Sequence, residues 1–259
     1  MAQSAKDKVE IEETQQKIGS IDIGGQEDVK VTYYLRDIER KMVDAWAKIF
    51  KDHTDRVKVS LGDIFKEAPA VDAIVSPANS FGFMDGGIDM VYTILFGWQM
   101  QKRLQKVIRE EYDGENLVGN AIIIPAYDKE REELENIKKV NYNGGQPIKY
   151  LISAPTMRIP EDVSNTSNSF LAFRAAILSV QKHNRNPDNP PIRSVLCPGL
   201  GTAIGTMPVD RCAFQMLQAY EMYDLKINNK LVYPETLWRI TDHGEHMKMY
   251  VYKNEKEST

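Results

Sequence analysis

The chain has 259 residues, 42% apolar and 27% charged, with a formal net charge of −4, an ordinary balance for a globular protein. It contains no run of 18 uncharged apolar residues, and its start, MAQSAKDKVEIEETQQK, is polar and acid-rich; both features argue against a membrane helix or a signal peptide. Lys and Arg are not clustered, so no nucleic-acid footprint is present and neither nucleic acid nor membrane is an expected partner. A cytoplasmic location follows as the expectation, or a nuclear one in a eukaryotic cell. Cys197 and Cys212 read as core packing in a reducing compartment.

Residues 1–26 and 254–259 read as tails, and 27–253 as one domain. KVTYYL (30–35) is rich in β-branched and aromatic residues and predicts a strand. DIERKMVDAWAKIFKD (37–52) places its apolar residues on one helical face. VKVSL (57–61) and DAIVS (72–76) predict two short strands. MVYTILFGWQMQKRLQKVIREEY (90–112) predicts one long helix with an apolar stripe. NAIIIPA (120–126) is nearly all apolar, which suits a central strand covered on both faces. The charged segment 127–147 reads as an exposed insertion. KYLISAP (149–155) and RSVLCP (193–198) predict strands, and 167–184 and 208–223 helices, the latter with Pro208 in its first turn. ETLWRIT (235–241) predicts a last strand. Strands alternating with helices imply an α/β sheet between helical layers.

Two loops carry the chemistry. NSFGFMDGGID follows DAIVSPA, and GLGTAIGTM follows SVLCP; each comes after an apolar strand and before a helix. In an open α/β sheet, ligands sit beyond the carboxyl ends of strands. Helix N-termini there offer unpaired N–H groups and partial positive charge, and glycine lets a ligand approach the backbone. Neither loop contains Lys or Arg, so an anion would be held by backbone dipoles, and two loops suit a pyrophosphate. The plain alternative is that both are structural turns. No G-x-x-x-x-G-K-[ST] motif occurs, and GLGTAIG has the wrong spacing for a dinucleotide fingerprint and lies too late in the chain.

Taken together, GDIFKEAPAVDAIVSPANSFGFMDGGID, YLISAP and LCPGLGTAIGTMP resemble the macro domain family, which binds ADP-ribose, over roughly residues 57–223. The resemblance implies a three-layer α/β/α sandwich with a mixed, mostly parallel central sheet. The strand and helix at 30–52 then look like an addition to it. The resemblance also assigns roles. Asp63 would be a buried carboxylate accepting from the adenine amino group, and Ile64 would flank the base. Asn79 would contact the distal ribose. Gly86, Gly87 and Ile88 would form the first phosphate loop. Gly199, Gly201, Thr202, Ala203, Ile204 and Gly205 would form the second. Asp89 stands where MacroD-type hydrolases carry an acid beside the distal ribose, so Asp89 and Asn79 are the candidate catalytic residues. A carboxylate there could deprotonate a water; the alternative is an acid that only caps the following helix.

The chain departs from the family pattern at several positions. Ser76 replaces the first Asn of N-A-A-N, Met84 and Asp85 replace loop glycines, and Thr93 stands where MacroD-type enzymes keep a histidine. Ile204 stands where some hydrolases carry an aromatic residue. The implied function is ADP-ribose binding with hydrolysis of ADP-ribosyl esters, either modified Asp or Glu on proteins or O-acetyl-ADP-ribose. A non-catalytic reader and an ADP-ribose 1″-phosphate phosphatase are the alternatives. The implied partner is ADP-ribose or an ADP-ribosylated protein, with no cofactor required and no metal. His243 and His246 could suggest a metal pair, but read better as a surface turn.

Overall fold

Six short runs of β-branched, aromatic and aliphatic residues pair into one sheet. The computed structural model describes residues 29–77, 79–127, 142–227, 232 and 234–251. The strands are β1 (Thr32–Asp37), β2 (Val57–Leu61), β3 (Ala73–Ser76), β4 (Ile122–Pro125), β5 (Tyr150–Ser153) and β6 (Ser194–Cys197). Their spatial order is β2-β1-β6-β3-β5-β4. Every neighbouring pair is parallel except β4 with β5. The helices are α1 (Arg40–Ile49), α2 (Gly87–Phe96), α3 (Trp98–Glu111), α4 (Asn168–Asn184), α5 (Val209–Ala219) and α6 (Leu237–Met249).

Two cores follow from the alternation of side chains along these strands. Tyr33, Leu35, Val75, Ile152, Val195 and Cys197 point to one face, where Trp46 of α1, Phe173 of α4 and Met216 of α5 cover them. Ile74, Leu151 and Leu196 point to the other, under Tyr92, Phe96, Leu104 and Ile108 of α2 and α3. Cys197 and Cys212 are both free and buried, as a core-packing reading requires. The mixed, mostly parallel sheet between helical layers is the architecture the sequence implies.

Several elements differ from the sequence expectation. The strand expected at 235–241 is instead the start of α6. Leu237 and Trp238, apolar enough to suggest a strand, are 80% and 74% exposed there. Within the strand–helix unit at 30–52, β1 lies inside the sheet, between β2 and β6. The apolar run at 120–126 is not central, since β4 is an edge strand. The single helix expected at 90–112 is two helices, broken at Gly97 (φ 89°, ψ 160°); its N–H still donates to the Thr93 carbonyl at 2.8 Å. The helix expected to run to 223 changes pitch at 220–224, where Leu225 N–H reaches back five residues to Tyr220 O at 3.1 Å.

Most of the insertion expected at 127–147, and both expected tails, lie outside the described residues. The end of that insertion is not exposed: Tyr142 and Asn143 are buried. Asn143 accepts from Val71 N at 2.7 Å and donates to Val71 O at 3.1 Å. No helix among the described residues is long and apolar enough to cross a membrane.

Candidate functional site

The carboxyl ends of β1, β3, β5 and β6 open on one side of the sheet into a cleft of about 570 Å³. Three strand-to-helix junctions form most of its wall: 37–39 between β1 and α1, 77–89 between β3 and α2, and 198–209 between β6 and α5. A position beyond parallel strand ends, at several helix starts, is where such sheets bind ligands.

The first loop is tied down by its own side chains. Asn79 Oδ1 accepts from Phe81 N at 3.0 Å and Phe83 N at 3.2 Å, and its Nδ2 donates to Phe83 O at 2.9 Å. Asn79 therefore lines the cleft with its amide committed to the loop. Met84 is fully buried; its N–H donates to Gln101 Oε1 at 2.7 Å, and its carbonyl accepts from Thr93 Oγ1 at 2.6 Å. Two departures from the family pattern, Met84 and Thr93, are thus partners that anchor the loop to α2. Asp85 is exposed on the rim of the cleft, so its charge is solvated where a buried acid would repel an anion.

Beyond Met84 the chain turns into α2. Gly86 is the N-cap without a side-chain cap, and Gly87 has φ +55° with open space where a Cβ would stand. The N–H groups of Gly87, Ile88 and Asp89 donate to no group among the described residues. This is the donor set that a helix start leaves unpaired. Gly86, Gly87, Ile88 and Asp89 all line the cleft.

Across the cleft, the second loop is braced from behind. Met207 N donates to Gly201 O at 3.0 Å, Thr206 N to Ala203 O at 3.0 Å, and Val163 N to Gly205 O at 2.9 Å. A Cβ on Gly205 would come within 2.5 Å of the Gly201 carbonyl, so only glycine closes this turn. Thr202, Ala203, Ile204 and Gly205 line the cleft, and their N–H groups have no acceptor among the described residues. Gly199 also lines the cleft, but its N–H donates to Asp37 Oδ2 at 3.0 Å. That bond braces the loop, so its N–H is engaged where the resemblance implies a phosphate-loop position.

Asp89 sits between these donors. It is only 7% exposed, and Ser76 Oγ donates to its Oδ1 at 2.5 Å. Burial pushes its pKa up to about 7, against the lowering effect of the Ser76 hydrogen bond. No side chain from another residue caps α2, and Asp89 makes no capping bond. It lies in the first turn, where a carboxylate suits the helix dipole, but it also faces the cleft.

On the side where the resemblance implies adenine, Asp63 is not the buried carboxylate expected. Asp63 is exposed and does not line the cleft. Its Oδ1 accepts from Phe65 N at 2.8 Å and Lys66 N at 2.9 Å. Those two backbone bonds lower its pKa. Ile64 is 4% exposed and packs in the core beneath α2 and α3. Arg36, also buried, holds this segment by donating to Asp63 O at 2.7 Å and Lys66 O at 3.0 Å.

The sequence reading missed the junction at 37–39. Asp37, Ile38 and Glu39 line the cleft, with Ile38 76% exposed. The signal was available as a strand run followed directly by a helix start, but no glycine marks it. Phe83, half exposed on the cleft, was also missed; it is an aromatic residue within the glycine loop. Among the described residues no Lys, Arg or His lines the cleft. His243 and His246 lie on α6 rather than in a turn. His243 Nε2 is 3.0 Å from Gln218 Oε1, and burial lowers its pKa. Among the described residues no group of three His, Cys, Asp or Glu could hold a metal ion.

Comparison with known proteins fits this geometry. A family model described as a Macro-like domain matches residues 38–236. An uncharacterised protein of Aquifex aeolicus (strain VF5) is 29% identical over 177 residues, covering 68% of this chain and 87% of that protein. Among solved structures, the macrodomain of Mycobacterium tuberculosis DarG is 18% identical; the match covers 63% of this chain and 88% of that one, with a TM-score of 0.47. The Oceanobacillus iheyensis macrodomain with ADP is also 18% identical, with 57% and 67% covered and a TM-score of 0.43.

Proposed function

We propose, from the premise that the chain belongs to the Macro-like domain family, that its cleft binds ADP-ribose and hydrolyses ADP-ribosyl esters. One observation carries the reading. Two sets of unpaired backbone N–H groups, at 87–89 and 202–205, line the same cleft as a buried carboxyl group. The two donor sets suit the two phosphates of a pyrophosphate, in a cleft where no cation is present. Glycine at 86, 87 and 205 keeps side chains out of the way. Asp89 in its ionised form takes a proton from the attacking water. For a modified Asp or Glu, the water oxygen bonds to the ribose carbon that carries the ester, the bond from that carbon to the ester oxygen breaks, and the carboxylate leaves with the electron pair. A group whose pKa lies near 7 suits that task at neutral pH.

A second reading has its own support. Asn79 has its amide committed to loop 79–83 and Thr93 is bound to Met84 O, which leaves fewer groups to act on a ribose and favours a non-catalytic ADP-ribose reader. Release of ADP-ribose from auto-modified protein, comparing wild type with Asp89→Ala, separates the two. The hydrolase reading predicts release by the wild type and a loss of at least about a hundredfold in the variant, with ADP-ribose affinity within a few-fold. Binding without release by the wild type would leave the reader. Equal release by both proteins would remove Asp89 from the reaction.

A further inference from the structure

Ser76 ends the third strand of the chain, in the middle of the sheet. Its neighbours fix it: the pairing runs Ser76 to Ser153 of β5, and its carbonyl accepts from Ala154 N at 2.9 Å. The residue is fully buried and does not line the cleft, so its hydroxyl cannot reach a ligand and is not a nucleophile. Among the described residues the one hydrogen-bond partner of its hydroxyl is Asp89 Oδ1, at 2.5 Å. The other carboxyl oxygen, Oδ2, accepts no hydrogen bond among the described residues. Asp89 itself lines the cleft. A rigid strand end therefore grips one carboxyl oxygen from behind and leaves the other for the cleft.

We infer that Ser76 is a positioning residue for Asp89: its hydroxyl fixes the carboxyl orientation and supports the ionised form that accepts a proton from water. The inference rests on the hydrolase reading above. A hydroxyl has one proton to donate, and a bond to the charged form favours that form. The surroundings make this donor consequential. The titratable group that acts with Asp89 is Tyr92 on its own helix, whose hydroxyl donates to Val75 O at 2.9 Å; Cys197 at the end of β6 and Asp37 at the end of β1 act on Tyr92 in turn, and Asp37 lines the same cleft. Glu39 and Asp85 stand further out on the rim. None of these is a cation, so no opposite charge supports the carboxylate. The role also accounts for serine where the resembling family carries asparagine: a short hydroxyl on β3 reaches the acid directly.

The test is the pH–rate profile of ADP-ribose release by wild type, Ser76→Ala and Ser76→Thr, with the Asp89 carboxyl titrated by carbon NMR in each ligand-free protein. Loss of the hydroxyl should raise the midpoint of the acid limb by about one unit, a fall of about tenfold in rate at pH values below both midpoints. Rates should converge at high pH, ADP-ribose affinity should stay within about threefold, and Ser76→Thr should restore the wild-type midpoint. A uniform loss of rate at every pH, with an unmoved midpoint, would mean that Ser76 is only a packing residue. If the wild type releases no ADP-ribose, the hydrolase reading fails by itself. The NMR titration then still decides: a raised Asp89 midpoint in Ser76→Ala sustains the coupling, and an unchanged one overturns it. Should the threonine fail to fold, the alanine titration alone carries the same decision.

Discussion

At the scale of single residues, the cleft is organised around a carboxyl group that burial makes reluctant to ionise. The folded-state pKa of Asp89, about 7, lies above the ordinary 3.8. Between those values the folded chain holds a proton that the unfolded chain has released. The contribution of this group is therefore fully present below about pH 4 and is lost as pH rises through 7, a change of a few kcal/mol. Asp89→Asn should consequently gain stability relative to wild type as pH rises from 5 to 8, as read from urea midpoints at both values. A constant difference across that range would mean that the folded-state pKa lies below about 5. The residues that departed from the family pattern were readable as departures but not as a set. Sequence spacing says nothing of a bond from Ser76 to Asp89, or of one from Thr93 to Met84, because each pair meets only when a strand end and a helix start converge. Asp63 is a different case. Its motif, GDI, is intact, yet its carboxylate closes its own turn at Phe65 and Lys66, which no motif reveals.

At the scale of elements, the first loop depends on contact with α3 as much as on its glycines. Gly82 has φ +68°, and a Cβ there would stand 2.9 Å from Ile108 Cδ1 and 3.1 Å from Leu104 Cγ. Gly82→Ala should cost about 2 kcal/mol in urea unfolding, from left-handed strain plus overpacking. A loss within measurement error would show that the loop is free to move away from α3. The strands with alternating or apolar runs and the amphipathic helices were legible from periodicity. Segment 235–241 was not. Its short mix of Leu, Trp and Ile suits either state, and in the structure it opens α6, with Leu237 and Trp238 exposed. The break at Gly97 was hidden for a related reason, since the apolar stripe continues through the kink into α3 and keeps both helices on one core.

At the scale of the whole molecule, net charge and function part ways. The protein is acidic overall, and its cleft carries Asp37, Glu39, Asp85 and Asp89 without a cation. On the proposed reading, attraction of a diphosphate comes from oriented N–H groups at 87–89 and 202–205. The two glycine loops, seen as strand–loop–helix junctions in the sequence, were legible as a pair; the third junction at 37–39, which lacks glycine, became visible only with the strand order. Calorimetric titration of ADP-ribose into wild type and Gly87→Glu tests the central claim most directly. Gly87 faces open space in the cleft, so a glutamate there would place bulk and like charge at the first donor set. The account predicts saturable one-to-one binding by the wild type and none by a folded Gly87→Glu protein at the same ligand concentrations. No binding by the wild type at millimolar ADP-ribose, or equal affinity in both proteins, would contradict it.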